Sequence, residues 1–119
     1  MQNFQAGDYL IFQIESGFGL MRILGIERDE NGENNWHLSA FNELFLDVEF
    51  ADMAIENPAS LTISHPHLVI TQRAFEATQT ARMLNIPLTD DEVAAFNVWQ
   101  ANLNRQISDR SVRLLLGLR

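Results

Sequence analysis

The sequence predicts an α+β fold, a curved antiparallel sheet (SH3-like or half-barrel) in the N-terminal half packed by two C-terminal helices. Three observations point there. Runs rich in β-branched and aromatic residues fill the chain up to residue 50, a strong turn signal, DENGENN, separates two of them, and a capping box opens an amphipathic stretch near residue 90. Its 119 residues fit a single domain, 1–119, long enough to bury a core without staples.

Asp8–Glu15 (DYLIFQIE) reads as the first strand, with Gln13 and Glu15 on one face and Phe12 and Ile14 on the other. Leu20–Arg28 is the next candidate, its apolar residues at both parities as in a strand covered on both sides. Between them Ser16–Gly19 has the length of a turn. After Asn31-Gly32, the even positions from Trp36 to Phe50 are apolar except Asn42. One unbroken strand of that length would reach roughly 50 Å, too long for so small a domain, so a bend or bulge is expected near Asn42–Glu43. A helix over 43–53 is the competing reading.

Leu61–Ser64 follows as a short strand interrupted by His65-Pro66-His67. Thr71 is positioned to cap a helix over about 72–84, with Ile70 and Phe75 at the spacing of a hydrophobic staple. Thr89-Asp90-Asp91-Glu92 is the capping box of a second helix, about 90–106, with Val93, Phe96, Trp99 or Gln100, and Leu103 as its buried stripe. The tail, 111–119, fits a final strand or a short helix.

Composition removes several chemistries. The absence of cysteine excludes disulfides, thiolate nucleophiles and Cys-type zinc sites; the absence of lysine excludes Schiff-base chemistry and a P-loop. Gly17-Phe18-Gly19 is not a dinucleotide fingerprint, because Arg22 stands where the third glycine belongs and a strand follows where a helix is required. Its glycines read as a hairpin corner presenting Phe18. No cofactor is expected. The apolar runs are too short for a membrane span, and the N-terminus lacks a signal-peptide pattern, so the expected location is cytoplasmic.

The net charge of −8 is concentrated: residues 29–72 hold eight acids and no arginine, and carry −8 by themselves. Such a surface repels phosphate backbones, which argues against nucleic acid, and suits a basic protein partner. The carboxylate pairs Asp47 with Glu49 and Asp90 with Asp91 read as a solvated face and as helix capping. Candidate partner-binding residues are Phe18, Trp36, Asp47, Glu49 and Asp52, with Phe41 and Phe45 as further aromatics.

GDYLIFQIESGFGLMRILGIE, residues 7–27, resembles the opening hairpin of an SH3-like barrel, with a Gly-Asp lead-in and an aromatic-Gly-apolar-Arg run in the next strand, the resemblance extending over roughly residues 6–28. Small bacterial immunity proteins of contact-dependent toxin systems open in a similar way. The resemblance implies a non-enzymatic domain that binds a toxin through acidic surface, and it supplies no functional residues. The expectation is therefore a non-catalytic protein-binding module, immunity-like or regulatory. Its alternatives are a small metal-dependent hydrolase built on His65 and His67 with His37 as a third ligand, and a homodimer pairing through an exposed strand or Val112–Leu118.

Overall fold

The structure, a computed structural model, describes residues 4–101 and 107–118. Its centre is one antiparallel sheet in the order β4-β3-β2-β1-β5, with β1 at Asp8–Ile14, β2 at Gly17–Arg28, β3 at Asn34–Phe45, β4 at Ile63–Thr71 and β5 at Thr80–Asn85. The helices are α1 (Val48–Glu56), α2 (Gln72–Glu76), α3 (Asp90–Ala101) and α4 (Val112–Leu115), with a 3-10 turn at Pro58–Ser60. The α+β class and the curved sheet follow the sequence reading. The sheet is open, because β4 and β5 remain as edges.

β1 and β2 join through Glu15 and Ser16 alone, so the expected turn at 16–19 moves two residues toward the N-terminus. Gly17, Phe18 and Gly19 belong to the strand. Gly17 has φ +156°, and a Cβ there would meet the Phe45 carbonyl oxygen at 2.3 Å. At Gly19 a Cβ would lie 2.3 Å from the Phe12 ring, which crosses above its backbone from the paired strand. Both glycines are set by close approach across the sheet.

The strands have two buried faces. Leu10, Phe12, Ile14, Met21, Ile23, Trp36, Leu38 and Ile70 line one, closed by Ala74 and Phe75 of α2 and Val112 of α4. Trp36 stacks on Phe75 with ring centroids 3.9 Å apart, and its indole N–H donates to Gln72 Oε1 at 2.8 Å. Tyr9, Ile11, Leu20 and Phe41 line the other, closed by Ala51 and Ile55 of α1. Alternating strand residues point to opposite faces, so apolar residues at both parities of β1 and β2 signify a sheet covered twice.

Three expectations are corrected and one is met. The strand ends at Phe45, and residues 48–56 are helical: Asp47 caps α1 by accepting from Phe50 N–H at 3.1 Å. The bend expected near Asn42–Glu43 is present as a bulge: from the Gly19–Leu44 pair to the Met21–Ala40 pair β3 advances four residues against two of β2, and its ladder to β4 shifts on both sides of Ala40. β4 runs unbroken through Pro66, which an edge strand tolerates because one side of its backbone needs no ladder bond. The helix expected over 72–84 stops at Glu76. Thr71 caps it as foreseen, with Ala74 N–H donating to its hydroxyl, but Thr80–Asn85 becomes β5. The outer edge of β1 has unpaired backbone groups, and pairing Phe12 with Thr80, Ile11 with Ala81 and Leu10 with Arg82 satisfies them. Asn85 fixes the register by donating to the buried Asp8 carboxylate at 2.8 Å.

α3 opens with the expected capping box: Glu92 Oε1 accepts from Thr89 N–H at 2.9 Å and Thr89 Oγ1 accepts from Glu92 N–H at 3.3 Å. Val93, assigned to its buried stripe, is 40 % exposed. Leu103 and the end of the helix foreseen to 106 lie outside the described residues. The tail forms the short α4, and Ser108 bridges to Ile70 in parallel, bonding to the backbone of Val69 and Thr71 at the C-terminal end of the β4 edge.

Candidate functional site

Two assemblies stand out on the α1/α3 side of the sheet. The first is α1 itself. Ala51 and Ile55 point into the core and are fully buried, which turns Phe50 and Met53, one helical turn apart, outward. Phe50 is 52 % exposed, Met53 64 % and the preceding Leu46 80 %. Around them stand Asp47, Glu49, Asp52 and Glu56, all exposed, with no basic residue in the last turn. Asp47 and Glu49 favour the positive end of the helix, but Glu56 opposes its negative end, and Asp52 with Glu56 is a like-charge pair at i, i+4. The outer face therefore combines apolar exposure with negative charge, of which Asp47 and Glu49 support the helix start while Asp52 and Glu56 do nothing to help α1 fold.

Of the five residues singled out from sequence, Asp47, Glu49 and Asp52 come together on this helix. Phe18 is not at a hairpin tip: it pairs with Phe45 within the sheet and packs, partly buried, against the cluster beneath α1. Trp36 is core, 5 % exposed on the opposite face of the sheet, and has no surface to offer. Phe41 is likewise buried beneath α1, and Phe45 packs partly buried on the same cluster.

The second assembly is polar and lies under α3. His37 of β3 is fully buried, and its Nδ1 is 3.0 Å from Nε2 of His67 on β4, so one ring donates and the other accepts. Phe96 and Trp99 of α3 meet His37 edge-on at 4.5 and 4.6 Å. Gly25, paired with His37 in the register, makes this approach possible: a Cβ there would sit 3.0 Å from the Phe96 ring. Glu27 Oε1 stands 3.5 Å from His37 Nε2, an ion-pair distance too long for a formed hydrogen bond. Burial lowers the basicity of His37 by more than Glu27 raises it. Burial and the neighbouring His37 together push His67 down to about 4. Both imidazoles are therefore neutral at neutral pH.

His65 does not join them, its Nδ1 being 3.1 Å from Ser64 Oγ. Among the described residues no three His, Cys, Asp or Glu side chains converge as a metal site. The foreseen His65–His67 pairing is thus replaced by His37–His67, two nitrogens that face each other.

Sequence reading missed the strongest electrostatic contact. Arg22, on the central strand and 1 % exposed, pairs through both Nε and Nη2 with the Glu92 carboxylate at 2.5 and 3.1 Å. It also donates to the carbonyls of Gly7 and Pro87, each at 3.0 Å, and its guanidinium lies 4.4 Å from the Tyr9 ring centroid. The same Glu92 caps α3, so one carboxylate both starts the helix and ties it to the sheet. Burial alone would raise the Glu92 pKa, but the bonds from Arg22 and Thr89 hold its carboxyl below the usual range. The signal was a lone arginine inside the apolar run LMRIL, a residue type that is buried only when paired.

No family model matches the chain, and no curated protein or solved structure is significantly similar to it. Among the described residues no helix is long and apolar enough to cross a membrane.

Proposed function

We propose that this chain is a non-catalytic protein-binding module that docks a basic partner on α1. One observation carries the reading: Leu46, Phe50 and Met53 are exposed among Asp47, Glu49, Asp52 and Glu56, in a segment, 29–72, without a lysine or arginine. An interface needs an apolar centre to bury and a charged rim to select and orient its partner, and α1 supplies both within three turns. Self-association through this face is disfavoured, because a two-fold contact would set like charges against each other. The resemblance of residues 6–28 to immunity-type domains points the same way, toward a toxin or another basic protein as the partner.

The test compares captures from lysate of the native host by the immobilised wild-type chain, Phe50→Ser/Met53→Ser and Glu49→Arg/Asp52→Arg. The reading expects a basic protein that elutes as salt is raised and is lost on both variants, with the variants' thermal unfolding close to wild type. Retention of the same protein on both variants, or an acidic or salt-indifferent ligand, refutes it.

A further inference from the structure

Away from α1, the basic remainder of the chain forms a groove beside α4. Six arginines lie within the described residues, and four of them are engaged: Arg22 with Glu92, Arg28 with the Gly32 carbonyl, Arg73 with Asp109 and Arg82 near Asp8. The side chains of Arg110 and Arg113 have no hydrogen-bond or ion-pair partner among the described residues, and Arg113 Nε is buried besides. A buried donor without an acceptor is a destabilising arrangement that folding by itself gives no reason to keep.

Both arginines line one open groove of about 490 Å³, together with Ser111, Leu114, Leu118 and Ala77. Its exposed lining is mainly apolar, and Leu114 is 67 % exposed. The remaining acid on its rim, Asp109, is already held by Arg73 and by the Thr71 hydroxyl. On its other side Arg113 also borders a second, more polar groove with Gln13, Gln79 and Glu15; Glu15 makes no ion pair with it. Two unpaired guanidiniums over aliphatic side chains are complementary to a carboxylate carried on an apolar group, the guanidinium fork meeting the two oxygens and the leucines covering the tail.

We infer that the Arg110–Arg113 groove beside α4 binds an organic carboxylate with an apolar substituent. Two sources carry that chemistry, the C-terminal residue of a peptide and a medium-chain aliphatic acid. The site is independent of α1, and its occupancy does not require the proposed partner.

Backbone amide NMR titration of the whole chain tests this, using N-acetyl-leucine, N-acetyl-leucinamide, octanoate and acetate at equal millimolar concentrations. Saturable shifts centred on residues 110–118 and 77 are expected with N-acetyl-leucine or octanoate, and whichever binds more tightly names the source. The amide and acetate should bind at least about tenfold more weakly, since each lacks one half of the complement. Arg113→Gln should weaken binding by a similar factor; should that variant not fold, Arg110→Gln and the acid-against-amide comparison on the wild-type chain give the answer. Absence of saturable shifts, equal binding of acid and amide, or binding unchanged in a folded arginine variant overturns the inference.

Discussion

Glu92→Gln separates the two duties of one carboxylate. In the wild type Arg22 has no route to solvent and depends on Glu92 for its counter-charge; glutamine leaves a single neutral oxygen beside the Gly7 and Pro87 carbonyls. Removing one partner of a buried pair costs about 3–5 kcal/mol, and because the Glu92 side chain is a fifth exposed the lower end, about 3 kcal/mol, is expected. For a domain of this length that lowers Tm by roughly 10 °C. Calorimetry and urea unfolding at neutral pH measure it. Arg22→Met/Glu92→Gln should lose less than the sum of the two single variants, since the double variant leaves no stranded charge. The Glu92 carboxyl is held below its ordinary range in the fold, so its contribution is full above that range and fades as pH falls through the folded value. Wild type and Glu92→Gln must therefore converge in strong acid. A loss under about 1 kcal/mol at neutral pH, or a gap that widens in acid, refutes the assignment of Arg22 as a charge dependent on Glu92.

Three further outcomes follow from the geometry. His67 titrates at about 4 in the fold against 6.5 when unperturbed, so the unfolded chain binds its proton first: stability should fall as pH drops from about 6.5 to about 4, and His67→Gln should flatten that stretch in pH-dependent denaturation. Gly19→Ala drives a methyl into the buried Phe12 ring and should cost about 1–3 kcal/mol in urea unfolding, whereas a neutral result would show that the ring can move aside. Ile55→Ala, fully buried under α1, should cost about 2–4 kcal/mol, while the exposed Met53→Ala one turn away should stay within about 0.5 kcal/mol; equal losses would mean that α1 is packed differently.

Local chemistry made much of this protein legible. Thr71 and Thr89 cap the helices assigned to them, Asn31-Gly32 turns β2 into β3, and the two-sided apolar pattern of β1 and β2 belongs to a sheet covered on both faces. These signals act within a few residues, where backbone geometry and side-chain type suffice. The errors lie where distant partners decide. Thr80–Asn85 carries a helical period yet becomes a strand, because the open edge of β1 offers backbone bonds that no local propensity matches. Residues 46–50 alternate like a strand yet turn into α1, because Asp47 can cap and Ala51 and Ile55 find the core. Trp36 passed for a surface aromatic until α2 brought Phe75 against it.

The candidate sites divide in the same way. The acidity of residues 29–72 is a property of composition, visible before any folding, and it named Asp47, Glu49 and Asp52. That Phe50 and Met53 accompany them outward depends on the helix and on which of its sides the sheet claims. By itself the sequence determined the class of the fold, its caps and turns, and the sign of its surface. Only the tertiary structure decided that His37 meets His67, that Arg22 lies under Glu92 and that Arg110 and Arg113 share a groove. His37 and His67 are 30 residues apart in the chain, Arg22 and Glu92 are 70 apart, and the groove needs Ala77 beside the tail; the free energy that joins such distant parts comes from burial, which no single segment can express alone.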